Sequence, residues 1–212
     1  MIESLKLSQT ICAKICHDLA GSIGAIDNCL SLLDGSNESI AAQAKTLAHT
    51  ESKNLIEQIK FLRNIYGLSD NEKETSIENV LKSIKEFLEV KSVAFNVHVT
   101  NEEILINSQI TKVIFCLISI ISENIGKDGS IDFYIYENCD LIKIIAKNQS
   151  QDLKEETFAI LNGDNSPELS VRNCRAHYIY KLCATNGYKT SVEKHNNLYE
   201  YLILKQDYTG LK

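Results

Sequence analysis

The stretch Thr10-Ile11-Cys12-Ala13-Lys14-Ile15-Cys16-His17-Asp18-Leu19-Ala20-Gly21-Ser22-Ile23-Gly24-Ala25-Ile26-Asp27-Asn28-Cys29-Leu30 decides the fold. Cys12, Ile15, Leu19, Ile23, Ile26, Leu30 and Leu33 recur at steps of three and four. They make one apolar stripe on a helix predicted over residues 4–34. His17 stands two residues before Leu19, which at about 100° per residue puts it roughly 160° from that stripe position. Thr10, Ala13, Lys14, Gly21, Gly24 and Asn28 share its face. Two of these are glycines inside a helix, each costing about 1 kcal/mol relative to Ala. Small residues beside an exposed histidine leave room for another protein's backbone. A solvated histidine beside glycines that serve only packing fits the same spacing, and helix geometry alone does not choose between the two.

Outward from this helix, Asp34-Gly35-Ser36-Asn37 is a turn cluster. A second helix is predicted from Glu38 to Tyr66, with Ala44, Leu47, Ala48, Leu55, Ile59, Leu62 and Tyr66 as its stripe. Gly67 and the polar run Ser69 to Thr75 end it as a short linker. Two antiparallel helices cannot fully bury such stripes against each other. A second copy of the hairpin would complete a four-helix bundle from two chains. The competing arrangement has the C-terminal half cover the stripe within a monomer. The remainder alternates: helices at 76–90, 108–122, 153–161 and 170–185, and strands at 94–99, 130–136, 141–147, 189–193 and 198–204. Turn signals lie at Glu137-Asn138-Cys139-Asp140, Asn186-Gly187 and His195-Asn196-Asn197. The expected fold class is α+β, with a helical hairpin domain over residues 1–68 and an α/β sandwich over 76–212.

The composition excludes several classes. With 28 acidic against 22 basic residues the net charge is -6, which disfavours phosphate-rich nucleic acid as a partner. The longest apolar run, Val113 to Ile121, is too short to span a bilayer. The stretch MIESLKLSQT lacks the basic and apolar regions of a signal peptide. Seven cysteines without a secretion signal point to free thiols in a reducing cytosol. Cys12, Cys16 and His17 do not make a zinc site, because His17 lies about 100° round the helix from Cys16 and no fourth ligand is nearby. His49, His98, His177 and His195 have no partner spacing.

Ile15-Cys16-His17-Asp18-Leu19, then Ile23-Gly24-Ala25-Ile26, resembles the phosphoacceptor box of dimeric histidine phosphotransferases of the ChpT-like family. Ser22 stands where that family commonly has Pro. The resemblance implies a DHp-type helical hairpin followed by a Bergerat-like, kinase ATPase-type sandwich that has lost its nucleotide motifs. It also implies a cytoplasmic homodimer in a two-component phosphorelay, with His17 as acceptor and Asp18 orienting or polarising it. Lys14, Gly21, Gly24, Ala25 and Asn28 would then form the face on which receiver domains dock. These would be the receiver of a hybrid histidine kinase and those of response regulators, of CtrA and CpdR type in the resembling family. The chemistry suits the residues: a neutral imidazole nitrogen is a competent nucleophile near pH 7, its unperturbed pKa being about 6.5. The receiver would supply Mg2+, and no metal or cofactor of the chain's own is expected.

The kinase motifs can be laid along the C-terminal half. Lys112 to Ser119 runs in register with the N box, whose magnesium-binding Asn would fall at Ile120 and a second polar Asn at Cys116. Lys147-Asn148-Gln149-Ser150-Gln151 stands for the Asp-x-Gly-x-Gly box and carries neither its acid nor its glycines. The third, glycine-rich box would fall at Val171, Asn173 and Arg175, none of them Gly, which bars a phosphate from close approach to the backbone. An ATP-dependent histidine kinase is therefore disfavoured. A non-catalytic dimeric scaffold with an unreactive His17 is the other reading that the sequence leaves open.

Overall fold

The structure, a computed structural model, describes residues 2–33, 37–68, 74–99, 104–136 and 139–208, the side chain of Lys127 apart. The expected turn residues 34–36, the linker residues 69–73 and the hairpin residues 137–138 lie outside these. The chain runs α1 (Ile2–Ser31), α2 (Glu38–Tyr66), β1 (Glu74–Ser76), α3 (Ile77–Val90), β2 (Ala94–His98), β3 (Leu105–Asn107), α4 (Ser108–Asn124), β4 (Ile125–Tyr136), β5 (Leu141–Gln149), α5 (Glu155–Leu161), α6 (Cys174–Thr185), β6 (Tyr188–His195) and β7 (Leu198–Lys205). The predicted α+β class is the observed one.

Local chemistry sets several boundaries. Asn37 caps α2, its side chain accepting from the Ile40 N–H at 3.0 Å. Ser76 and Asn107 cap α3 and α4 in the same way. Gly187, at a φ of +69°, supplies the left-handed residue just past α6, as the Asn-Gly pair predicts. α1 ends at Ser31, short of the expected residue 34. α6 starts at Cys174 rather than at 170, because the Asn173 side chain accepts from the Ser170 N–H at 2.8 Å and holds that segment as a turn. β1 and β3 were not expected. They have three residues each, too few to show alternation, and pair antiparallel with each other.

The main sheet has the order β2-β4-β5-β7-β6, with β2 parallel to β4 and the other neighbours antiparallel. α4 is apolar almost all round and is buried along nearly its whole length, as expected of a central helix. α3 and α6 flank it. α2 joins this core through its last turns: Phe61 stacks on Phe87 at 3.7 Å between ring centroids and meets Phe115 edge-on at 5.1 Å. Tyr178 of α6 donates its hydroxyl to the Ile65 carbonyl at 3.3 Å. The first half of α1 docks as well, Leu7 and Ile11 packing with Cys174.

The predicted stripes are thus split. Cys12 is exposed, and Leu7 and Ile11, one turn apart on a neighbouring face, are buried in its place. The sandwich covers one end of the hairpin only. Ile23 and Leu30 of α1 and Ile40, Leu47, Ile56 and Ile59 of α2 remain about half exposed on the chain. Among the described residues no helix is long and apolar enough to cross a membrane.

Candidate functional site

The site lies where α1 leaves the sandwich. His17 projects from α1 with its side chain 82% exposed. Its Nδ1 lies 3.4 Å from Asp18 Oδ1. Asp18 is not an ordinary surface charge, since its side chain is only 13% exposed. Lys14 Nζ donates to its Oδ1 at 2.8 Å, and Arg175 Nη2 donates to its Oδ2 at 2.9 Å. Lys14 and Asp18 are four apart, so they share one helix face, and that face looks onto α6.

Arg175 binds a second carboxylate, its Nη1 donating to Glu123 near the end of α4. Lys14 Nζ also lies 3.5 Å from Glu123 Oε1. Two cations and two anions from α1, α4 and α6 therefore close one network beside His17. The Arg175 side chain is 7% exposed. Burial works against its charged form, but the groups around it, Glu123 foremost, together more than offset this and raise the guanidinium's pKa, so Arg175 stays a cation. Its Nε is buried without a partner. Burial also lowers the pKa of Lys91, which feels Glu123, Arg175 and Asp18 from the end of α3.

The residues expected to form a docking face divide. At Gly21 and Gly24 an added Cβ would meet nothing within 4 Å, so neither glycine is required by packing within the chain. Asn28 is exposed and Ala25 half-buried on the same helix. Lys14, expected on the docking face beside His17, turns its side chain to Asp18 and Glu123. Opposite charges at the seam between α1 and the sandwich draw it there. The spacing of α1 showed His17, Asp18 and the glycines. It gave no sign of Glu123, and Arg175 registered only as a missing glycine, because their contact with α1 spans more than a hundred residues of chain.

The three stretches aligned with nucleotide motifs do converge, around a cavity of about 270 Å³ lined in part by Ile120, Gln151, Val171 and Arg175. Their side chains serve other ends. Cys116 is fully buried, and burial pushes its thiol up to about 12. Asn173 is buried and ties its loop together, donating to Glu156 Oε2 at 3.0 Å and the Glu168 carbonyl at 2.9 Å. Lys147 pairs with Asp132 at 2.6 Å across the sheet.

The model of the histidine phosphotransferase C-terminal domain matches residues 78–197. No curated protein matches the chain by sequence. Among solved structures, a bacterial phosphotransferase superposes with a TM-score of 0.81 at 18% identity, over 94% of this chain and 96% of that one. The Acinetobacter baumannii histidine kinase AdeS gives 0.48 at 14% identity, over 91% and 98%. The catalytic domain of the histidine kinase ThkA gives 0.47 at 17%, over 63% and 96%. At these identities the phosphotransferase match speaks for the fold. The family model spans more than half of the 212 residues, and the chain belongs to the histidine phosphotransferase family.

Proposed function

We propose that the chain relays phosphoryl groups between receiver domains through His17, acts as a cytoplasmic homodimer and does not use ATP. The observation that carries this reading is His17 itself: an exposed imidazole on a helical hairpin, one nitrogen facing a held carboxylate, in a histidine phosphotransferase. Asp18 can only accept at its oxygens, so it favours the tautomer with the proton on Nδ1. Nε2 then carries the free lone pair. It attacks the phosphorus of a receiver's phospho-aspartate in line; the N–P bond forms, the P–O bond breaks, and the receiver's carboxylate leaves. The Nδ1 proton stays against Asp18. Donation to a second receiver is the reverse. A Mg2+ held by the receiver would supply charge neutralisation of the phosphoryl oxygens.

Gly21, Gly24, Ala25 and Asn28 form the face for the receiver, with Lys14 withdrawn into the network. The exposed apolar residues of α1 and α2 are the seam of the dimer. Incubating the chain with a panel of labelled phospho-receivers tests the reading. Wild type should take up label, and His17→Ala should not, while keeping its fold. An exposed helix position costs little on truncation, within about 0.5 kcal/mol. Labelled ATP with Mg2+ should leave both proteins unlabelled. Equal labelling of the Ala variant would sink the assignment, and labelling by ATP would restore the kinase reading.

A further inference from the structure

We propose that Arg175, on the sandwich, is a positioning residue for His17: it holds Asp18 so that the imidazole presents a bare Nε2. This rests on the phosphotransfer reading above.

An aspartate next to a histidine on an exposed helix has no intrinsic reason to face it. Its side chain is short, and in water it samples several rotamers. Here three contacts fix it. Arg175 Nη2 holds Oδ2 at 2.9 Å, Lys14 Nζ holds Oδ1 at 2.8 Å, and Oδ1 then sits 3.4 Å from His17 Nδ1. Lys14 alone would not suffice. It rides on the same helix, its stem is flexible, and it shares itself with Glu123 at 3.5 Å. Arg175 comes from another element and is anchored on Glu123 by its other amino group. A planar guanidinium can bridge carboxylates on two helices; a lysine ammonium on a flexible stem does so less rigidly. Burying a guanidinium is costly unless both ends are paired, so the network resists being opened.

The device also gives the sandwich a role at the acceptor. In the alignment with kinase motifs, Arg175 falls where a phosphate-binding glycine would stand. The side chain present instead reaches across to α1. One substitution thus serves the acid beside the phosphoacceptor.

The test uses the full-length protein labelled with 15N-histidine, read at a pH where the imidazole is neutral. Wild-type His17 should be found with its proton on Nδ1. Arg175→Met should shift it toward the Nε2–H form and lower kcat for phosphoryl acceptance about tenfold, with KM for the receiver little changed. Arg175→Lys should restore part of both. Glu123→Gln weakens the other anchor of Arg175 and should lower the melting temperature, while moving the tautomer less than Arg175→Met does. The proposal is overturned if Arg175→Met keeps the wild-type tautomer, or if its loss of rate is all in KM. It is overturned equally if Glu123→Gln shifts the tautomer as far. Should Arg175→Met fail to fold, the wild-type spectrum decides, since an Nε2–H His17 contradicts the clamp. A wild-type chain that accepts no label from any phospho-receiver defeats the phosphotransfer reading instead, and the tautomer readout stays independent of it.

Discussion

The seam assigned to the dimer can be tested at Leu30. Its side chain is 50% exposed on the single chain, so a partner hairpin has about half of a leucine left to bury. Full burial of such a side chain stabilises by about 1.5–3 kcal/mol, which leaves about 1 kcal/mol per copy at this position. A two-fold interface counts each change twice, so losing the contact weakens the dimer by about 2 kcal/mol, roughly 30-fold in Kd. Leu30→Lys adds a charge to the seam. Even about 1 kcal/mol per copy for its desolvation brings the total near a thousandfold. Within the monomer the same lysine can extend into water, and the helix keeps a residue of good propensity. Leu30→Lys should therefore sediment as a monomer of 23.8 kDa at concentrations where wild type is dimeric, with unchanged far-UV circular dichroism. Half-buried Ile26 is a poorer probe, since a charge there would also be partly buried within the chain itself. A Leu30→Lys protein that dimerises with wild-type affinity would refute the reasoning, as would a well-folded wild-type monomer.

Two further perturbations follow from the same geometry. A Cβ at position 24 meets nothing within 4 Å and a helix-interior glycine is removed, so in Gly24→Arg stability should hold or rise by about 0.5–1 kcal/mol. Transfer to receivers should fall at least about tenfold, because the close approach of a receiver is blocked; a stable variant with undiminished transfer to every receiver would remove this face from the docking surface. His177 is buried on α6, its Nδ1 3.0 Å from Asn165 Oδ1, and burial lowers its pKa below the ordinary histidine value. The unfolded chain then binds the proton more readily, so this contribution to stability is complete above the unfolded pKa of about 6.5 and is lost as the pH falls toward the folded value. Melting temperatures measured from neutral to mildly acidic pH should drop less steeply in His177→Gln than in wild type, and parallel curves would discount His177 as a source of acid sensitivity.

Much of this protein was legible in its amino-acid order, because those features are local. Asn37 and Ser76 announce the starts of α2 and α3, and Asn186-Gly187 announces the end of α6, through backbone chemistry confined to a few residues. The α+β alternation, and the placing of His17 and both glycines off the apolar stripe, follow from periodicity alone. β1 and β3 escaped it, since three residues hold no period. Tertiary structure decided the rest. It chose Leu7 and Ile11 over Cys12 as the face of α1 that docks on the sandwich, and left Ile23 and Leu30 uncovered. It turned Lys14 to Asp18 in an ion pair, and brought Arg175 and Glu123 from distant chain positions to the acid beside His17. Ion pairs of this kind depend on which charges the packed helices place within a few ångströms of one another. Such distances are set by the whole core at once, and no stretch of sequence contains them.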